Sequence, residues 1–316
     1  SLQEFETTKY LEELLTEYGY EIVSNIGGNG FAAVLKNGGN KTVLFRADMD
    51  ALPVKEETDI SFKSKKTTKQ NGIDVPVMHA CGHDIHMTSL IGTADYFSKN
   101  KDSWEGTIVF ILQPAEEIGF GARQMIGAGL FEKIPYPDIN LALHVSAQTQ
   151  SGTVHITPGF AMANVDSVDV TFYGEGGHGA YPHLTKDPIV MSSQFITTVQ
   201  TIISRNLSPI NAGVVTVGSI HGGTKHNIIP NHVDLQITVR SYSDDDRELI
   251  ISRIKKIAES IAIQNDLPKN LYPIVKLRDE YTPAVFNNPD LAMRAKVILS
   301  KAVSYTHLTL PTRRGV

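Results

Sequence analysis

The chain has 316 residues, 41% of them hydrophobic and 20% charged, with a net charge of −5 and a single cysteine; it describes a globular protein with a core large enough for one big domain or two. No internal disulfide is possible, and no apolar run approaches the roughly eighteen residues of a membrane span, so a soluble, cytoplasmic protein is expected. Lys and Arg are scattered rather than striped, which argues against a nucleic-acid partner, and KSKKTTK (Lys63 to Lys69) reads as a solvated loop.

In chain order, SLQEFETTKYLEELL reads as an amphipathic helix with Leu11, Leu14 and Leu15 on one side. No signal peptide is in view, and because the sequence opens on Ser1 the native start is expected to lie upstream. FAAVLK and TVLF read as strands, the first closed by the turn signal Asn37-Gly38-Gly39-Asn40, the second running into Asp48 and Asp50. A helix is expected over about Ile85 to Ser98, then a strand TIVFIL leading into QPAEE, then a strand INLALHV ending on His144. In open α/β sheets functional groups collect at the carboxyl ends of strands, and Asp48, Asp50, Glu116, Glu117 and His144 all hold such positions.

Beyond about Pro158 the order is a strand (SVDVTFYG), a helix (PIVMSSQFITTVQTIISRN), two strands (GVVTVGSI and VDLQITVRSY), a helix (DDRELIISRIKKIAESIAIQ) and a strand (YPIVKL). This β-α-β-β-α-β order is that of a ferredoxin-like unit, and Ile250, Ile254, Ile257 and Ile261 form an apolar stripe at helical spacing. It reads as a second domain inserted into an α/β domain, to which a helix, LAMRAKVILSKAV, is expected to return.

The only cysteine lies in Met78-His79-Ala80-Cys81-Gly82-His83-Asp84-Ile85-His86. Thiolate and imidazole are good ligands for Zn²⁺ and related divalent ions, and carboxylates complete such sites. Cys81, His83, Glu117 and His144 are the candidate ligands, with His79 and His86 as competitors. A single glycine between Cys81 and His83 suits a loop wrapping an ion. A zinc deaminase is disfavoured, because it needs a later pair of cysteines.

RADMDALP (Arg46 to Pro53), MHACGHDIH, QPAEE (Gln113 to Glu117), GGHGAYPH (Gly176 to His183) and GGTKHNIIP (Gly222 to Pro230) together resemble the M20 metallopeptidase family. They are most similar to its amidohydrolase branch, which includes hippurate hydrolases, N-acyl-amino-acid amidohydrolases and auxin-conjugate hydrolases. The resemblance implies a catalytic α/β domain (1–160), an inserted ferredoxin-like dimerisation or lid domain (161–278), and a return to the catalytic domain (279–303). It implies two divalent metal ions (Mn, Zn, Co or Ni) bridged by Cys81, with His83 and His144 on one and Glu117 on the other. Asp50 would stand behind the ligands and orient an imidazole, and Glu116 would be the general acid/base. Adjacent residues in extended chain point to opposite sides, so Glu117 is expected to face the metal and Glu116 the attacking water. His178 would steady the oxyanion, often across a homodimer interface, and Asn227 with Arg240 would hold the substrate carboxylate.

The expected reaction is hydrolysis of small N-acyl amino acids. The alternatives are an N-acetyl-diaminopimelate deacetylase or dipeptidase with the same machinery, and, from another class, a catalytically idle binding or dimerisation subunit. Retention of Glu116 argues against the last. The end departs from the family pattern: the segment carrying a final ligating histidine is not found, and SYTHLTLPTRRGV (304–316) reads as a non-native tail.

Overall fold

The computed structural model describes residues 1–70, 72–279 and 281–301. The chain forms two compact units, which part between Gln148 and Thr149.

The first unit runs α1 (Phe5–Glu17), β1 (Glu21–Val23), β2 (Phe31–Asn37), β3 (Thr42–Asp48), the paired β4 (Thr67–Gln70) and β5 (Ile73–Pro76), and α2 (His83–Lys99). It continues with β6 (Gly106–Gln113), α3 (Gly121–Gly127), α4 (Leu130–Lys133) and β7 (Ile139–Ala142). Its five-stranded sheet has the order β1-β2-β6-β3-β7. The apolar run of β2 is buried throughout Phe31–Leu35 because both faces of the sheet are covered. Phe31, Ala33 and Leu35 share a core with Leu11 and Leu15 of α1 and Met87 and Leu90 of α2. Ala32 and Val34, pointing the other way, pack with Met125 of α3 and Leu130 of α4. β3 lies between β6 and β7 and is parallel to both. The carboxyl ends of these three strands therefore fall on one edge of the sheet, where a ligand site is expected.

The second unit begins at Thr149. It contains β8 (Gly159–Met162), β9 (Asp166–Tyr173), β10 (Gly177–His178), α5 (Pro188–Thr201), β11 (Val214–His221), β12 (Ile228–Ile229) and β13 (His232–Arg240). After these come α6 (Asp244–Gln264), β14 (Ile274–Leu277), β15 (Val285–Asn287) and α7 (Pro289–Leu299). The order β11-β13-β9-β14, antiparallel at every step, is the ferredoxin-like sheet read from the β-α-β-β-α-β pattern. Val168, Val170 and Phe172 on β9 and Val233, Leu235, Ile237 and Val239 on β13 form one face. The stripe Ile250, Ile254, Ile257 and Ile261 of α6 and Met191, Phe195 and Val199 of α5 cover it.

Part of the segment expected to return to the first domain is held inside the second unit, where β15 pairs with β8. α7 starts at Pro289, earlier than the apolar stripe suggested, because the Asn288 side chain accepts from Leu291 N at 2.9 Å and caps it. The proposed tail, 304–316, lies outside the described residues.

Candidate metal centre

Three segments at the carboxyl edge of the first sheet, together with the turn into α2, assemble one cluster. Gly82, the residue before α2, has φ +78, and a side chain there would overlap Val145. The resulting turn leaves Cys81 just outside the helix and His83 as its first residue. His83 is fully buried. Its Nδ1 lies 2.8 Å from the Asp50 carbonyl oxygen and 3.3 Å from Asp50 Oδ1, so Nδ1–H donates there and Nε2 is turned the other way. Nε2 has no hydrogen-bond partner, yet Asp48 Oδ2, Glu116 Oε2 and Glu117 Oε1 stand 3.6, 3.7 and 3.8 Å from it. The Cys81 thiol is 3.4 Å from His144 Nε2. His144 Nδ1–H donates to the Val145 carbonyl oxygen at 2.6 Å, which leaves Nε2 for the cluster.

The structure thus brings together Cys81, His83, Glu116, Glu117, His144 and Asp50, and it differs from expectation in how the two glutamates are presented. They lie in a turn spanning residues 116–119, not in extended chain, and both carboxylates converge on His83 Nε2. The reason is local: Ala115 takes φ +49, and Gly119 N–H closes the turn onto the Glu116 carbonyl oxygen at 2.8 Å. Two carboxylates then pin the turn. Glu4, itself buried, accepts from Ala115 N at 3.3 Å, and Asp50 Oδ2 accepts from Glu117 N at 3.1 Å. Depth separates the glutamates: the Glu117 side chain is 17% exposed and the Glu116 side chain 39%. His144 lies two residues beyond β7, on a loop, instead of closing the strand.

Burial alone would raise the Asp50 carboxyl, but hydrogen bonds from the His83 ring, Ser1 Oγ and the Glu117 and Glu116 N–H groups outweigh it and hold the group at about 2. Burial likewise opposes a charge on His83, but the hydrogen bond to Asp50 and the charges of Asp48 and Asp50 bring it up to about 8. Burial, followed by the Glu116 charge, raises Glu117. Burial, with Glu117, Glu116 and Asp48 nearby, pushes the Cys81 thiol up to about 11.

In the metal-free protein Cys81 is therefore a poor nucleophile at neutral pH, although it is only half-buried. The thiolate fraction of a group titrating at about 11 grows tenfold for each unit of pH below that value. Alkylation by iodoacetamide should accordingly accelerate about tenfold per pH unit through the neutral and mildly alkaline range, without a plateau. A plateau near the ordinary thiol value would show that neither burial nor the carboxylates hold the thiol up.

Buried His83 Nε2 and Glu117 Oε1 lack hydrogen-bond partners, a costly state that an ion bound beside them would relieve. Cys81, His83 and His144 present ligand atoms within 4.8 Å of one another, as do Asp50, His83 and Glu116. A thiol, imidazoles and carboxylates around orphaned buried donors fit a pair of divalent ions. His79 turns its Nδ1 to the Asp50 carbonyl oxygen at 3.1 Å. His86, the other competing histidine, has both ring nitrogens occupied, by Asp48 and by Val145 N–H. Two features are added by the structure alone: the part played by Glu4, and the hydrogen bond that joins Asp48, one of the strand-end acids, to His86, one of the competing histidines. The burial of a lone acid at the start of an amphipathic helix has no sequence signature, whereas His86, three residues after His83, was at least in view.

In the second unit His178 and Asn227 are neighbours. β10 pairs with β12, Gly179 N–H donates to the Asn227 carbonyl oxygen at 2.8 Å, and His178 Nδ1 accepts from Ala180 N at 3.1 Å. Arg240 does not join them. It ends the nine-residue strand β13, which starts five residues after Asn227, and nine residues of strand span roughly 30 Å. Within one chain Asn227 and Arg240 are therefore not a pair. Arg240 is half-buried, and its guanidinium has no hydrogen-bond or ion-pair partner among the described residues.

A parallel-stranded α/β edge bearing this donor set defines a metal-dependent hydrolase. Residues 44–314 match the model of peptidase family M20/M25/M40, and the chain belongs to that family. It is 39% identical over 297 residues to an N-acetyldiaminopimelate deacetylase of Leuconostoc mesenteroides, covering 92% of this chain and 74% of the relative. It is also 39% identical over 262 residues to a hippurate hydrolase of Campylobacter jejuni, covering 83% of this chain and 66% of the relative. A solved dinuclear metal-binding M20 peptidase of Bacillus subtilis superposes with a TM-score of 0.77 at 29% identity, over 98% of this chain and 78% of that one. The chain is a metal-dependent amidohydrolase of the M20 type. Among the described residues no helix is long and apolar enough to cross a membrane.

Proposed function

We propose that the protein hydrolyses the amide bond of small N-acyl amino acids, releasing a carboxylate and an amino acid. The observation that carries this reading is the buried, partnerless His83 Nε2, which faces Glu116 and Glu117 beside the Cys81–His144 contact. Cys81, His83, Glu117 and His144 would hold the metal ions, and Asp50 fixes His83 with Nδ1 protonated so that Nε2 is free to bind. When bound, the ions supply Lewis-acid polarisation of the scissile carbonyl and acidify the attacking water. Glu116, the more exposed of the two glutamates, takes the water proton as the new C–O bond forms and returns it to the leaving nitrogen as the C–N bond breaks.

For the substrate, the planar fork of Arg240 suits a free carboxylate, and its lack of a partner supports that role. His178 is assigned to the oxyanion and Asn227 to the carboxylate. Because these two lie at the opposite end of β13 from Arg240, the reading calls for a homodimer joined through residues 161–278, in which one protomer supplies His178 and Asn227 and its partner Arg240. We assign the dimer to the cytoplasm and the bound ions to Mn, Zn, Co or Ni.

Parallel hydrolysis assays on hippurate, N-acetyl-diaminopimelate and a dipeptide test the reading. Turnover should be fastest on an N-acyl amino acid and should fall on Arg240→Ala through KM. Preference for N-acetyl-diaminopimelate, whose amino acid carries a second carboxylate, favours the deacetylase reading supported by the Leuconostoc relative. Cleavage of the dipeptide alone would overturn both.

A further inference from the structure

Behind the ligand cluster lies a chain of hydrogen bonds that the proposed hydrolysis leaves without a task. His86, in the first turn of α2, is 2% exposed. Its Nδ1 is 2.6 Å from Asp48 Oδ1, and its Nε2 is 3.0 Å from Val145 N. A carboxylate only accepts and a backbone N–H only donates, so both ring roles are fixed: the imidazole is neutral, with its proton on Nδ1. His86 then has no lone pair left for an ion, although its ligand atoms lie within 4.8 Å of those of Asp48 and His83.

Each end of this chain is anchored. Asp48 Oδ2 accepts from Arg46 Nη1 at 2.7 Å, and Arg46 Nε donates to Gln113 Oε1 at 2.9 Å, which ties the group to the ends of β3 and β6. At the other end, residues 143–147 lie beyond β7 and make no backbone–backbone hydrogen bond among the described residues. The bond from Val145 N–H to His86 tethers this loop to α2. The His86 and His144 rings meet edge to face, with centroids 4.5 Å apart, and the Val145 side chain covers Gly82.

We infer that His86 is a positioning residue: held in one tautomer by Asp48, it clamps Val145 N–H and so sets His144 opposite Cys81 before any metal arrives. The inference rests on the reading that Cys81 and His144 hold a metal ion. His86 acts through the loop and touches neither metal nor substrate. Without the clamp, His144 rides on a loop with no ladder to hold it, and its ordering must be taken from the binding energy of the ion.

The test is metal affinity in the full chain, stripped and titrated with Zn²⁺ or Co²⁺ alone against a competing chelator. His86→Asn keeps a donor where Nδ1 was but cannot reach Val145. It should weaken the ion about tenfold to a hundredfold, the scale of lost outer-sphere support. His86→Gln, whose carbonyl reaches the Nε2 position, should recover most of that loss. Equal affinities in wild type and His86→Asn, or equal losses in Asn and Gln variants that melt alike, overturn the clamp. Should neither variant fold, the ¹H–¹⁵N spectrum of the wild-type imidazole decides, since a ring protonated on Nε2 contradicts it directly. Cys81→Ser separates the two levels of the claim. If that variant binds as tightly as wild type, the metal reading itself fails and the clamp falls with it.

Discussion

Glu116→Gln is expected to lower kcat by at least roughly a hundredfold, the scale of general acid/base catalysis, while leaving metal content nearly unchanged. The substitution removes the proton-carrying charge but keeps the shape, and Glu116 is the outer member of the pair, its side chain 39% exposed. Glu117→Gln should behave differently. That carboxylate is deeper and has a buried oxygen without a partner, so under the proposed assignment neutralising it removes a ligand and bound metal should fall. Elemental analysis beside kinetics distinguishes the two. Loss of metal in the Glu116 variant, with retention in the Glu117 variant, would mean that the two roles are exchanged. The convergence of both carboxylates on one imidazole nitrogen makes this control necessary, because geometry alone brings each within 4 Å of His83.

Much of this site was legible because its residues sit where strand ends must put them. Once β3, β6 and β7 are recognised as parallel, Asp48, Asp50, Glu116, Glu117 and His144 fall on one edge without further information. Ligand chemistry then singled out Cys81 and His83. The conformation of the QPAEE segment was not legible, since its turn depends on a positive φ at an alanine, a residue that carries no signal for it. Nor was its support, because Glu4 reaches Ala115 across 111 residues and His86 finds its partners 38 and 59 residues away. Such contacts are tertiary and have no local pattern. The distance between Asn227 and Arg240 is a different matter. The run VDLQITVRSY is long enough to separate its two ends by roughly 30 Å, and the pairing of β12 with β10 keeps Asn227 at the end away from Arg240.

Gly121→Ala is expected to damage the site as severely as loss of a catalytic group, though Gly121 touches no ligand. Gly121 opens α3, its N–H bonds to the Ala115 carbonyl oxygen at 3.0 Å, and a Cβ built there would overlap the Pro114 carbonyl oxygen. The obstacle is backbone, so no rotamer change relieves it, and the Pro114–Glu117 turn must move or α3 must withdraw. That turn carries both glutamates and is held by Glu4 and Asp50, whose hydrogen bonds would be stretched by the same displacement. Overpacking of this kind costs about 1–3 kcal/mol of stability. The larger effect falls on chemistry, because misplacing reacting groups by about an ångström lowers rate on the order of a hundredfold. Gly127, at the other end of the same helix, provides the matched control: a Cβ there meets nothing within 4 Å. Gly127→Ala should leave kcat unchanged and raise stability slightly, as alanine does over glycine in a helix. Equal activity in the two alanine variants would show that the turn tolerates displacement and that the placement of Glu116 is not set by the contact of Pro114 and Ala115 with Gly121.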